Sequence, residues 1–317
     1  MILNIILLLI GFILLIKGAE WLVNGSSALA KKYNISNITI GLTIVAFGTS
    51  APELVVNSFA SIQDHEEIVF SNIIGSNNFN LFIILGITGL ISPLMVQSRT
   101  IYREIPISFF AIALLFVLSN DLLSGGTGVV TRMDAGLLLL MFFFFLYYVY
   151  FQLKRDPADE EIPTHNYSNL KITLLIIIGL AGLVLGGRMV VMNAIEMATQ
   201  LGVSEKIIGL TIVAAGTSLP ELTTSAIAAM KKKTDIAIGN IIGSNIFNIF
   251  LILSISGLID PLYYNEIFNT DMMILGGGTV FLFLALAQSR KKILHRWQAA
   301  VLLVSYVSYT IYLISLE

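Results

Sequence analysis

GLTIVAFGTSAPEL occupies residues 41–54, and GLTIVAAGTSLPEL occupies residues 209–222. The two stretches differ at two of fourteen positions. A second pair follows, NIIGSNNFN at 72–80 and NIIGSNIFN at 240–248, differing at one of nine. Both pairs are 168 residues apart, and Gly18 with Gly186, Ser36 with Ser204 and Pro93 with Pro261 keep the same spacing. Repeats at a fixed offset mark duplicated structural units. The duplication therefore covers a whole half of the chain and not one loop.

The surrounding composition decides what kind of unit is duplicated. Of 317 residues, 56% are apolar and 12% charged, against about 25% charged in an ordinary soluble domain. The formal net charge is −2, so there is no basic field for nucleic acid, and there is no cysteine for disulfides or thiolate metal sites. His65, His165 and His295 all fall in polar stretches. An integral membrane protein remains. Runs such as Leu137–Leu146 show no alternation, so the spans are helices and not barrel strands. At roughly 20 apolar residues per crossing, hydropathy places ten spans, near 2–23, 38–62, 70–92, 104–120, 134–152, 170–192, 206–230, 236–259, 272–288 and 296–315. The first run is long and lacks a preceding basic segment, so it is expected to stay in the membrane as a span.

The polar stretch Lys154–Asn169, with Pro157, Pro163, Asp156, Asp159, Glu160 and Glu161, divides the spans five and five. This gives a first half at 1–152, a cytoplasmic linker at 153–169 and a second half at 170–317. Five is odd, so the second copy must enter the membrane from the opposite side. The expected fold is all-α, ten transmembrane helices as two inverted five-helix repeats, an arrangement typical of secondary transporters. With both termini outside, 15 of the 18 Lys and Arg residues fall on the inner side, leaving Arg132, Arg188 and Lys206 outside. That matches the inward bias of basic residues in membrane proteins, and topology and lipid contact suffice to explain them.

The duplicated blocks are the most polar parts of the spans. Glu53 and Glu221 are the acids lying deep within them. An intramembrane carboxylate is costly unless it is neutralised or faces a wet cavity, so it reads as functional. Thr49, Glu53 and Asn57 stand at i, i+4 and i+8 on one helix face, with Ser50 nearby. Thr217, Ser218, Glu221 and Ser225 repeat the pattern. Ser76 with Asn80, and Ser244 with Asn248, are further i, i+4 pairs. Every donor is oxygen, which suits hard cations such as Ca²⁺ and Na⁺. Gly48 and Pro52, like Gly216 and Pro220, bracket the hydroxyl pairs. Proline breaks the ladder, and local unwinding is expected to free the Gly48 and Gly216 carbonyls and those of Ala46 and Ala214. Gly75 and Gly243 are expected to let crossing helices pack closely. Two ionised glutamates give −2, which one Ca²⁺ would neutralise and three Na⁺ would turn to +1. Competition of the two loads for the same oxygens would couple their transport.

GTSAPEL with GSNNFN, repeated as GTSLPEL with GSNIFN, resembles the α-repeats of the calcium/cation antiporter superfamily, in its prokaryotic sodium/calcium exchanger branch. The resemblance covers nearly the whole chain. It implies the sodium/calcium exchanger fold, with the two leading helices of each half being mobile against a core of eight, and electrogenic exchange of three Na⁺ for one Ca²⁺ across the cell membrane. It implies cation ligands at the Ala46 carbonyl, Thr49, Ser50, Glu53, Ser76 and Asn80. In the second half they are the Ala214 carbonyl, Thr217, Ser218, Glu221, Ser244 and Asn248. Where some family members carry Asp, this chain has Asn248, which keeps the central charge at −2. No cofactor and no nucleic-acid partner are implied; Ca²⁺ and Na⁺ are the substrates and lipid is the surrounding partner. The competing readings are H⁺/Ca²⁺ exchange through Glu53 or Glu221, a passive cation channel, and an intramembrane hydrolase. The hydrolase has Ser50 and Glu53 but no accompanying His or Lys.

Overall fold

A computed structural model describes residues 2–120, 122, 128–155, 167–201 and 214–315. The linker acids Asp156, Asp159, Glu160 and Glu161, and residues 209–213 of the second repeat block, lie outside the described residues. Helix α1 spans Ile2–Tyr33. Helices α2 (Asn37–Thr49) and α3 (Ala51–Ile62) form one path bent by 46°. Then come α4 (Glu66–Ile91), α5 (Thr100–Ser119) and α6 (Arg132–Arg155). The second half has α7 (Asn169–Gln200), α8 (Ala214–Thr217), α9 (Leu219–Met230), α10 (Thr234–Ile259), α11 (Asn269–Gln288) and α12 (Arg296–Ser315). Among the described residues, seven helices are long and apolar enough to cross a membrane, or eight if the bent pair is one span. The protein is an all-helical membrane protein.

Helices α1 and α7 exceed the expected spans: each has 32 residues, or about 48 Å of rise against a hydrocarbon core of about 30 Å. Hydropathy marks the lipid-embedded part, whereas the helix continues through polar residues such as Ser26, Ser27 and Lys31 until Asn34 adopts φ 55°. A Cβ on Gly18 would sit 2.8 Å from the Gly179 carbonyl oxygen and the Leu183 nitrogen. One on Gly186 would sit 2.8 Å from the Gly11 oxygen and the Leu15 nitrogen. Glycine thus lets α1 and α7 pack backbone to backbone. The pair shares a small apolar cluster with parts of α2, α9 and α10. The main core is built on α4, α5, α6, α10 and α11, and α10 is buried along nearly its whole length.

The two sequence halves interlock. Strand β1 (Leu94–Met95) pairs antiparallel with β4 (Ile293–Leu294), and β2 (Val129–Val130) pairs with β3 (Leu262–Tyr263). Arg296 donates from Nε to the Leu90 carbonyl at 3.1 Å and from Nη2 to that of Ile91 at 3.4 Å. Arg132 does the same to Leu258 and Ile259, at 3.3 and 3.1 Å. Leu90 and Ile91 lie 168 residues before Leu258 and Ile259. Each arginine satisfies carbonyls that a helix end leaves without intrahelical partners, and each reaches from one half to the other. Topology and lipid contact therefore do not exhaust the basic residues.

Candidate ion-binding site

The bend between α2 and α3 falls at Ser50, whose φ and ψ are −83° and 7°. Ser218 repeats the break before α9, at −86° and 5°. Pro52 and Pro220 sit at the opening of the following helices, where a missing N–H leaves no gap in the ladder. Proline here starts a helix. Glu53 and Glu221 consequently lie in first turns, where the helix dipole favours a negative group.

Because the break comes at Ser50, the Ala46 carbonyl is not free as expected. It accepts from the Ser50 N–H at 3.0 Å, with Thr49 Oγ1 3.3 Å away. Ala214 opens the short helix α8. The close-packing expectation holds for Gly243, and Leu210, the counterpart of the Leu42 it meets, lies outside the described residues. A Cβ on Gly243 would lie 2.7 Å from that of Ala46, while Gly75 has nothing within 4 Å among the described residues.

The side chains from both halves converge. Ser50 Oγ donates to Glu221 Oε1 at 3.0 Å and lies 3.0 Å from Ser244 Oγ. Ser218 Oγ lies 3.2 Å from Ser76 Oγ and beside the Glu53 carboxylate. The two carboxylates are near enough to interact with each other directly. Thr49 Oγ1 donates to Asn240 Oδ1 at 2.9 Å, and the Asn240 amide donates to Ser225 Oγ at 2.9 Å and to the Glu221 carbonyl at 3.3 Å. Asn57 Nδ2 is held by the Glu53 carbonyl at 2.7 Å. Glu53, Glu221, Thr49, Ser50, Ser76, Asn80, Ser218, Ser244 and Asn248 are all buried, and Thr217 is half-buried.

The arrangement of the four central asparagines was not legible in the sequence. Asn80 and Asn248 lie in π-helical turns, Phe79–Ile84 and Asn248–Ile252, a local widening often found at functional sites. Asn80 Nδ2 donates to Asn245 Oδ1 at 3.0 Å, and Asn248 Nδ2 donates to Asn77 Oδ1 at 2.9 Å. Asn77 and Asn245 in turn donate to each other's backbone carbonyls, at 3.2 and 3.3 Å. Each of the four amide nitrogens donates within this ring. Around it, left without partners among the described residues, are the oxygens Glu53 Oε2, Glu221 Oε2, Asn80 Oδ1, Asn248 Oδ1 and Asn57 Oδ1. Buried acceptors without donors are rare in folded proteins, and a cluster of them beside two carboxylates fits a dehydrated hard cation. Asn77 and Asn245 recur at the 168-residue offset, which is the one signal that could have marked them.

A third buried acid also escaped the sequence reading. Glu104 opens the apolar run of α5, so hydropathy placed it at the edge of a span, yet it is buried. Its Oε1 accepts from Tyr148 and Gln152, and Gln152 Oε1 accepts from Thr39 on α2 at 3.4 Å. It stands apart from the central oxygens in a network of its own.

Family models of known proteins match this chain over residues 3–151 and 171–315, in the family described as sodium/calcium exchanger protein. The chain belongs to the sodium/calcium exchanger family. It is similar to the putative antiporter CaxA of Alkalimonas amylolytica, 35% identical over 98% of both chains. It is also similar to the sodium/calcium exchanger MaX1 of Methanosarcina acetivorans, 33% identical over 98% of both. Among solved structures it resembles the sodium-calcium exchanger NCX_Mj soaked with 10 mM Na⁺ and zero Ca²⁺. That match has a TM-score of 0.84 and 32% identity, covering 100% of this chain and 99% of the other. Members of this exchanger family are transporters, which places the converging oxygens in a cation-exchange protein.

Proposed function

We propose that this exchanger moves Na⁺ against Ca²⁺ across the cell membrane by alternating access, with three Na⁺ for each Ca²⁺. The observation that carries the reading is the set of donor-free buried oxygens on Glu53, Glu221, Asn80 and Asn248, contributed equally by the two halves. The two glutamates would hold Ca²⁺ most directly. Hydroxyls of Thr49, Ser50, Ser76, Thr217, Ser218 and Ser244 complete the shell, since Ca²⁺ takes about 6–8 oxygens. The Ala46 carbonyl, which accepts from the Ser50 N–H, keeps a second lone pair for a cation, and the Ala214 carbonyl is its counterpart in the second half.

Charge supplies the coupling. An empty site carries −2 in a region where unpaired charge is strongly disfavoured. One Ca²⁺ makes it neutral, and three Na⁺ leave +1. Either load permits the site to close and change sides, whereas the empty site resists closing. Three Na⁺ against one Ca²⁺ moves one net charge per cycle. Both cargoes use the same oxygens, so binding of one excludes the other.

The ten-span, inverted-repeat topology is part of the same proposal. The bent pair α2–α3 counts as one span, α8–α9 as its counterpart, and α12 as the tenth. Support comes from the offset-related contacts: the Asn77–Asn245 exchange, the paired arginine caps and the two strand pairs. The distribution of Lys and Arg favours both termini outside.

The test is Ca²⁺ uptake by proteoliposomes holding the purified chain, at several clamped voltages. Uptake should require an outward Na⁺ gradient and should accelerate when the interior is made positive, because three Na⁺ leaving for each Ca²⁺ entering carries one net positive charge outward. Uptake driven by a pH gradient alone would favour proton coupling, and tracer entry with no trans cation would favour a channel.

A further inference from the structure

The cations around the turn between α11 and α12 are not used alike. Lys292 Nζ donates to Tyr102 OH at 3.2 Å and to the Ala287 carbonyl at 3.0 Å. Arg296 caps the end of α4. Arg290 and Lys291 have no hydrogen bond or ion pair from their side chains among the described residues. Both border a cavity of about 500 Å³ whose lining includes no carboxylate. His295 lies on the same rim. The lining also has an apolar part: Phe281 and Leu284 come from the last turns of α11, and Trp297 from the first turn of α12, with Trp297 63% exposed.

The cavity sits where two apolar helices end, α11 at Gln288 and α12 at Arg296. Tryptophan collects at that depth because its ring suits the boundary between acyl chains and water. Two unpaired cations on the wet side match a phosphate charge, and an apolar wall on the dry side matches a hydrocarbon chain. A freely diffusing anion would leave that wall unused. We infer that this cavity is a binding site for an anionic phospholipid, with the headgroup phosphate on Arg290 and Lys291 and an acyl chain along Phe281, Leu284 and Trp297. Basic pockets between membrane helices recognise headgroups in this way. The site lies away from the exchange oxygens and does not depend on which ions the protein carries.

The chain has two tryptophans, Trp21 and Trp297, so Trp21→Phe leaves a single reporter in the cavity. This variant is reconstituted with brominated phosphatidylglycerol or brominated phosphatidylcholine at equal mole fraction, and quenching of Trp297 is titrated. The expected preference for the anionic lipid is about thirtyfold for two engaged cations. Arg290→Gln with Lys291→Gln should bring it close to onefold, and Arg290→Lys should retain most of it. Equal quenching by the two lipids in the Trp21→Phe protein overturns the inference, whatever the fate of the double variant. A preference that survives in a folded double variant overturns the assignment to these cations. Displacement of the brominated lipid by excess inorganic phosphate would make it a free-anion site and overturn the lipid assignment.

Discussion

Asn245→Leu removes two hydrogen bonds without replacing a proposed ligand. Leucine has nearly the shape of asparagine, so the packing of α10 is preserved. The Asn80 amide loses its acceptor at 3.0 Å, and the Asn77 carbonyl loses its donor at 3.3 Å. Asn80 is buried in a π-turn of α4, and the bond to Asn245 is what turns its NH₂ away and its Oδ1 toward the site. With that bond gone, the amide can present either end, and an NH₂ facing the site repels a cation. At about 1 kcal/mol for a neutral bond, losing the bond that orients Asn80 should cost about fivefold in Ca²⁺ affinity, and losing the bond to the Asn77 carbonyl should lower stability by a similar amount. Na⁺ affinity should fall with it because the oxygen is shared. Calorimetric titration of the detergent-purified variant with Ca²⁺ measures the effect, with the thermal midpoint as a check on folding. A well-folded Asn245→Leu protein with parental Ca²⁺ affinity would refute the ring of amides as the device that orients Asn80.

Asn248→Asp places a third acid at the site and, when ionised, removes the donor to Asn77 Oδ1; transport by this variant should fall steeply as pH rises while the parent changes little, as read by vesicle Ca²⁺ uptake across a pH series. Arg296→Gln strips the cap from Leu90 and Ile91 and should lower stability by about 1 kcal/mol, visible as a lower thermal midpoint. Lys233, at the turn between α9 and α10, is pushed down from 10.5 to about 8 by burial and by the charge of Lys231. Its folded form therefore binds fewer protons than the unfolded form between those values, so this group opposes folding below about pH 8 and its penalty fades as pH rises toward 10.5. Lys233→Met should accordingly raise the thermal midpoint more at pH 7 than at high pH.

The sequence carried the helical membrane class, the location of the bend and the residues that converge, because these depend on hydropathy, on proline and on i, i+4 spacing along single helices. What it did not carry depends on contacts between helices distant in the chain. Asn77 and Asn245 follow Ser76 and Ser244 by one residue, off the face that the spacing marked, and their role appears only when the halves meet. The π-turns at Asn80 and Asn248 leave no signature in residue type. Glu104 was hidden by its position at the start of an apolar run, and the long ends of α1 and α7 by polar residues that remain helical. The Ala46 carbonyl was misjudged because the break comes two residues later than the glycine that suggested it.

The most direct test of the central claim is Ca²⁺ binding to the purified protein as Na⁺ is raised, in the parent and in Glu53→Gln and Glu221→Gln. One shared site predicts a single Ca²⁺ per chain, displaced by Na⁺ with a Hill coefficient above one, and no measurable Ca²⁺ binding in either glutamine variant. Ca²⁺ binding that Na⁺ leaves unchanged, or that persists at parental affinity in a folded glutamine variant, would contradict the account.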